Sequence, residues 1–200
     1  MKKLFAACAM ALVLTGCASG VKIVDTNNDT ADSVMGLEYR DFEKAAGEAV
    51  QSMIASGAVS KPGGGRYILA IGRMINDTMQ RIDTDQLIKK IRIELLNSGK
   101  VVVTTAVAFN GPEDEMSYVA RELRGNSEFD QKGIAAKGQL QAPDLSLTGK
   151  ILQRNHSMGR NKTQVEYFFQ LSLTEIKSGL AIWEGETPIV KRGSSKSVSW

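Results

Sequence analysis

Apolar residues recur at helical spacing in two stretches of the chain, and each stretch predicts an amphipathic helix. The first helix is predicted between Asp41 as the N-cap and Gly57 as the stop. Its apolar positions are Phe42, Ala45, Ala46, Ala49, Val50, Met53 and Ile54. The second helix is predicted from Asp83, which has capping-box spacing to Gln86, to a stop near Gly99. Its apolar face consists of Leu87, Ile88, Ile91 and Leu95.

A third helix is predicted to begin at Pro112, because proline is favoured at the first helical position. The acidic residues 113–115 then fall in the first turn, where they interact favourably with the helix dipole. This placement is preferred over a cation site for the three carboxylates. The apolar residues expected to face the core are Met116, Val119, Ala120 and Leu123.

Two apolar runs in the first half of the chain predict strands. Residues 66–73 are almost continuously apolar, which is typical of a strand covered on both faces, and residues 76–78 are predicted to turn the chain. The three valines at residues 101–103 predict a short strand. Three glycines at residues 63–65 precede the first strand, but no Gly-Lys-Ser/Thr follows them, so this segment is predicted to be a flexible loop.

The last third of the chain has the alternating pattern of β-structure. Every second residue over residues 165–173 is apolar, beginning with Val165, so one face of that strand is predicted to be buried. An earlier strand alternates at Leu145, Leu147 and Ile151, and a turn at residues 177–179 leads to a hairpin partner over residues 180–186. The order α-β-α-β-α-β-β-β predicts an α+β fold, a small mixed or antiparallel sheet with helices packed on it. A single domain is expected over residues 38–192.

The N-terminal residues have the organisation of a secretory leader. A positive start is followed by an apolar run at residues 4–14, which is too short to cross a membrane of roughly 30 Å as a helix. The residues Leu14-Thr15-Gly16-Cys17 match the bacterial lipobox, in which the cysteine thiol accepts diacylglycerol before cleavage. We therefore predict a signal peptide over residues 1–16 and an acylated Cys17. Two or three acyl chains on one residue give stable anchoring.

The rest of the N-terminal segment predicts how the domain is held. Residues 17–37 are polar and small, which favours a flexible tether. At the other end of the chain, residues 193–200 are predicted to form a loose tail. Residue 18 is alanine rather than the aspartate that retains lipoproteins in the inner membrane, so the outer membrane, facing the periplasm, is favoured. Cys8 leaves with the leader, so the mature chain has no disulfide, thiolate metal site or cysteine nucleophile.

Composition excludes several classes of protein. The chain has 200 residues, of which 42% are hydrophobic and 24% charged, as expected of a globular domain rather than a disordered or polytopic membrane protein. The mature chain has 23 basic and 22 acidic residues. This near-neutral balance argues against a nucleic-acid-binding protein, because such proteins need a basic surface to neutralise phosphates.

The search for catalytic residues finds none. His156 is the only histidine, and no Gly-x-Ser-x-Gly elbow or clustered metal ligands accompany it. Glu184 and Glu186 share a strand face, but that spacing occurs by chance in many strands, and no aromatic sugar platform is evident beside them. We therefore expect no enzymatic activity, no metal and no cofactor.

A basic segment is the strongest candidate for binding. The loop predicted over residues 153–163 carries Arg154, His156, Arg160 and Lys162, with no acidic residue before Glu166. It is open to two interpretations: a solvated hairpin tip, or an electrostatic docking patch for an acidic protein surface. Contacts of the second kind act more on the association rate than on the affinity.

The chain resembles the LpoB family, outer-membrane lipoproteins that activate class A penicillin-binding proteins. The resemblance covers residues 41–191 and rests on the lipobox and on the segments at residues 67–71, 76–78, 84–96, 99–102, 147–151 and 178–184. It implies a fold like the N-terminal domain of TolB and no catalytic activity. It further implies that a monomer binds a regulatory domain of a bifunctional peptidoglycan synthase and stimulates polymerisation and cross-linking allosterically.

The tether departs from the family pattern, and separately a second hypothesis from a different class of protein stays open. Well-studied members have a long proline-rich linker across the periplasm, whereas the tether predicted here is short and almost free of proline. The alternative is a secretion-channel or assembly subunit similar to CsgG, which needs paired amphipathic strands of roughly 9 to 11 residues each. Only residues 163–176 are long enough for such a strand. A large detergent-stable ring would favour the channel, and a monomer the activator.

Overall fold

The structure, a computed structural model, describes residues 33–197 and places five strands in one mixed sheet of order β2-β1-β3-β4-β5. The strands are β1 (Tyr67–Asp77), β2 (Val101–Val103), β3 (Leu145–Ser157), β4 (Lys162–Glu175) and β5 (Leu180–Ser194). The helices are α1 (Tyr39–Ala55), α2 (Thr84–Asn97) and α3 (Met116–Glu122). β1 runs parallel to β2 and β3, whereas β4 is antiparallel to β3 and β5. The predicted α+β class is therefore confirmed, with a mixed sheet.

Several predicted segments fall outside the described residues. These are the signal peptide at residues 1–16, Cys17, the tether up to residue 32 and the tail residues 198–200. The described residues from Val34 onward form one compact unit. Gly193 and Ser194, which the sequence assigned to the tail, pair with β4 as the end of β5. No described helix combines the length and the apolar character that a membrane crossing requires.

Helices α1 and α2 cover one face of the sheet, as their apolar spacing predicts. Leu87, Ile91 and Leu95 of α2 are buried, and Asp83 caps this helix by accepting a hydrogen bond from the Asp85 amide. The predicted N-cap of α1 is wrong by three residues, because the helix begins after Glu38. The Asp41 carboxylate reaches back to the Glu38 amide at 2.8 Å, which is the role of the N3 residue in a capping box.

The alternation along β4 is confirmed, and it defines the core. The side chains that β4 directs towards the helices are buried, and they are Val165, Tyr167, Phe169, Leu171 and Leu173. In the antiparallel register Phe169 pairs with Ile151 and Leu173 with Leu147, so neighbouring strands direct apolar residues to the same side. Phe42 of α1 meets Phe169 edge-on, with ring centroids 5.8 Å apart. We call the opposite side of the sheet the outer face.

Two sequence predictions for the connections are wrong. Helix α3 begins at Met116 rather than Pro112 and buries none of its residues, and Met116 is 65% exposed. Seven residues make only two turns, so apolar periodicity in this segment does not show that a tertiary partner covers it. The turn predicted at residues 76–78 also begins late, because β3 continues alongside β1 and pairs with Asn76 and Asp77.

Candidate partner-binding surface

The basic segment lies on a long hairpin, and the loop predicted for it is wrong. β3 continues to Ser157 and β4 begins at Lys162, so only residues 158–161 form the turn. Arg160 and Asn161 adopt positive φ angles of 45° and 60° there. The sequence missed the strand ends because their side chains are exposed and polar, and backbone pairing leaves no hydrophobic pattern.

Arg154 and Phe168 form a stacked pair on the outer face. The Arg154 guanidinium lies 5.6 Å from the centroid of the Phe168 ring. Pro188 is paired with Phe168 on β5, and Val190, which is 50% exposed, lies two residues further along the same strand. An arginine stacked on an aromatic ring beside exposed apolar side chains is the composition typical of protein-binding hot spots.

His156 lies on the same side of the hairpin and is associated with a carboxylate. Its Nε2 atom is 3.2 Å from Oε2 of Glu166, whose other oxygen accepts a hydrogen bond of 2.6 Å from Gln164. Gln164 in turn accepts a hydrogen bond from Nε of Arg192 at 2.5 Å. Glu166 is therefore engaged within the basic surface. Sequence reasoning missed Arg192, since only the β4–β5 register places it opposite Gln164.

The turn and the end of β5 enclose an open depression of about 680 Å³, which we call the basic basin. It is lined by Met158, Arg160, Asn161, Lys162 and Arg192 together with residues 193–194. None of these lining residues is acidic, and Met158 is 52% exposed at the tip of the hairpin. The structure thus places Arg154, His156 and Lys162 on the outer face, with Lys162 at the turn end where the basin lies, whereas Arg160 lies in the turn itself.

The other candidate groups have structural partners. Glu184 accepts a hydrogen bond from Ser172 at 3.0 Å and Glu186 one from Gln170 at 2.7 Å, both across the β4–β5 pair. Glu113 forms an ion pair with Arg92 of α2. Within residues 33–197, no three histidine, cysteine, aspartate or glutamate side chains are placed to hold a metal ion.

A buried polar cluster fixes the chain where the described residues begin, and we call it the N-terminal clasp. Nζ of Lys191 lies 2.6 Å from the Asp41 carboxylate and 2.8 Å from the Gly36 carbonyl oxygen. The Tyr167 hydroxyl lies 3.2 Å from the Met35 carbonyl oxygen and 3.2 Å from Oε1 of Gln80. The clasp therefore brings the start of the domain to the same end of the sheet as the basic basin.

The clasp predicts a distinctive stability profile at alkaline pH. Burial, together with the nearby Asp41 charge, raises the pKa of Tyr167 to about 12. The folded state holds the Tyr167 proton more tightly than the unfolded chain does. The contribution of protonated Tyr167 to the free energy of unfolding is therefore complete below about pH 10, and it is lost as the pH rises towards about 12. Tyr167→Phe should cost about 1 kcal/mol at neutral pH, and urea titrations should show this difference shrinking above about pH 10. A constant difference would contradict a titrating Tyr167.

Several solved structures of lipoproteins are similar to this chain. The chain is similar to the LpoB C-terminal domain from Salmonella enterica at 17% identity, covering 74% of this chain and 98% of that one with a TM-score of 0.45. It is similar to the corresponding domain from Escherichia coli at 16% identity, covering 74% and 98% with a TM-score of 0.43. It is also similar to lipoprotein GNA1162 from Neisseria meningitidis at 15% identity, covering 66% and 87% with a TM-score of 0.38. A search of curated protein sequences finds no match.

A family model identifies the class of protein to which the chain belongs. Residues 41–189 match the family described as peptidoglycan-synthase activator LpoB. The chain belongs to this family, so it is an activator in peptidoglycan synthesis and not an enzyme. Proteins of the family are outer-membrane lipoproteins that interact with a penicillin-binding protein. The implied likeness to the N-terminal domain of TolB stays a prediction.

Proposed function

We propose that the protein binds a class A penicillin-binding protein and activates its peptidoglycan synthesis allosterically while anchored in the outer membrane through acylated Cys17. The observation that carries the proposal is the family match over residues 41–189, which contains α2, strands β1 to β4, nearly all of α1 and the first ten residues of β5. Activation requires only that the domain bind the active state of the synthase more tightly than the inactive state. A coupling free energy of about 1 to 3 kcal/mol is typical of such effects.

The outer face is the surface proposed to contact the synthase. Phe168 holds the Arg154 guanidinium in place, so less side-chain entropy is lost when a partner carboxylate binds it. His156 extends the same basic surface towards the turn, and Val190 supplies exposed apolar area beside it. Arg160 and Lys162 belong to the same proposed binding region, and their position at the basin gives them a separate contact, described below.

The proposal is tested with the mature chain from residue 17, in which Cys17→Ala prevents acylation. Added to a purified class A synthase from the same cell, this protein should raise the rate of glycan-chain synthesis, because activation depends on the folded domain and not on the lipid. Glycan synthesis and complex formation are measured together. An unchanged rate of glycan-chain synthesis, without a detectable complex at micromolar concentrations, would contradict the proposal.

The outer face is tested by a pair of matched variants. Arg154→Ala removes one charge and the contact with Phe168, and it should weaken the complex about tenfold and flatten its dependence on salt. Arg73→Ala is the control, since Arg73 is an exposed arginine 5.5 Å from the centroid of Phe109. It removes the same charge and the same kind of contact from β1, which carries none of the residues assigned to the proposed surface. Equal losses in both variants would show that the outer face is not the binding surface.

A further inference from the structure

The basic basin combines positive charge with an exposed apolar tip. Arg160, Lys162 and Arg192 line one depression and are all exposed. Met158 lies with Arg160 in the turn that joins β3 to β4, Lys162 begins β4, and Arg192 lies near the end of β5. The nearest carboxylate along β4 is that of Glu166, which is engaged by Gln164 and lies beside His156. An apolar side chain flanked by lysine and arginine fits the boundary between lipid headgroups and acyl chains.

The basin also lies where the chain enters the domain. A Cβ atom placed on Gly193, a lining residue of the basin, would lie only 2.6 Å from Sδ of Met35. Lys191, two residues earlier, binds the Gly36 carbonyl oxygen. The chain between Cys17 and Val34 can extend over at most about 60 Å. Acylation of Cys17 would therefore keep the basin within one chain length of the lipid surface.

We propose that the basic basin docks on the anionic phospholipid headgroups of the membrane that holds Cys17. Arg160, Lys162 and Arg192 contact phosphate groups, and Met158 enters the interface between them. This inference rests on the anchoring part of the proposed function. An acidic protein surface could satisfy the same charges, but the exposed methionine and the nearby chain entry favour lipid. Docking would hold β3 and β4 by their turn, at one end of the outer face, and Arg154 and Phe168 lie further along that face.

The test uses the mature Cys17→Ala chain and vesicles, with binding measured by co-flotation. Vesicles of equal parts phosphatidylglycerol and phosphatidylethanolamine should bind the protein, and the binding should weaken as salt is added. Vesicles of phosphatidylcholine should not bind it. The triple variant R160A/K162A/R192A should bind the anionic vesicles about 100-fold more weakly, since each cation near such a surface contributes about fivefold. Met158→Ser should weaken binding several-fold without changing the salt dependence.

A matched triple variant distinguishes the effect of the basin on vesicle binding from the effect of net charge. Arg66, Lys100 and Lys137 are exposed cations outside the basin, so R66A/K100A/K137A changes the total charge equally. This control should retain binding to anionic vesicles. Equal losses in the two triple variants, or no binding of the unaltered protein to anionic vesicles, would overturn the inference.

The same variants distinguish this inference from the proposed function. Without vesicles, Met158→Ser, which keeps every cation of the proposed synthase-binding region, should stimulate the synthase as the unaltered protein does. If Met158→Ser loses the synthase complex while its vesicle binding is unchanged, the tip of the basin binds the synthase and the lipid inference is wrong. If no variant stimulates the synthase but the basin variants still lose vesicle binding, the proposed function fails and the lipid inference stands.

Discussion

Lys191→Met is expected to lower the free energy of unfolding by about 3 to 5 kcal/mol. The Lys191 side chain is only 9% exposed and that of Asp41 10%, and their charged groups lie 2.6 Å apart. Methionine keeps the packing volume but leaves the Asp41 carboxylate buried without its cation, and it also leaves the Gly36 carbonyl oxygen without its donor. Urea unfolding of the mature chain measures the loss.

Two comparisons make this prediction specific to the clasp. Lys44→Met breaks an exposed ion pair with Glu48, in which the side chains are 53% and 50% exposed, and should cost less than about 0.5 kcal/mol. Adding Asp41→Asn to Lys191→Met removes the uncompensated charge and should restore part of the stability. A cost for Lys191→Met as small as that for Lys44→Met would mean that water reaches Asp41 and that the clasp contributes little.

The contrast between these two ion pairs shows which contacts can be predicted from local sequence and which cannot. The Lys44–Glu48 pair follows from helical spacing, whereas Lys191 and Asp41 are 150 residues apart and meet only in the folded domain. The elements predicted well, α2 and β4, are those in which one buried face imposes a period on the sequence. Helix α3 shows the converse, because its apolar residues have helical spacing and yet remain exposed.

The candidate surface was predictable in its residues but not in its geometry. The excess of cations between residues 153 and 163 is visible in the sequence, and it predicts a binding segment that consists of Arg154, His156, Arg160 and Lys162. Their positions along the outer face and around the basin depend on the β3–β4 register, which polar strand ends do not encode. The role of Phe168 under Arg154 depends on the same cross-strand register.

The second large effect is expected at a glycine whose importance lies in packing rather than in its φ angle. Gly149 lies inside β3, opposite Leu171 of β4 and beside Met74 of β1. A Cβ atom there would lie 2.6 Å from the backbone carbonyl oxygen of Gln170, 2.6 Å from Cδ2 of Leu171 and 2.6 Å from Sδ of Met74. The two side chains could rotate away, but the carbonyl oxygen belongs to the β3–β4 ladder and can move only with its strand.

Gly149→Ala should therefore destabilise the domain by about 2 to 3 kcal/mol, as overpacking in a well-packed core does. Gly47→Ala is the matched control, because a Cβ atom at that position of α1 meets no atom within 4 Å. Alanine is also the better helix former, so this variant should stabilise the domain by about 0.5 to 1 kcal/mol. The two variants add the same methyl group and should move the urea midpoint in opposite directions. A shift of the same sign in both would show that β3 and β4 can separate at Gly149, and the rigid sheet that positions Arg154 over Phe168 would then be in doubt.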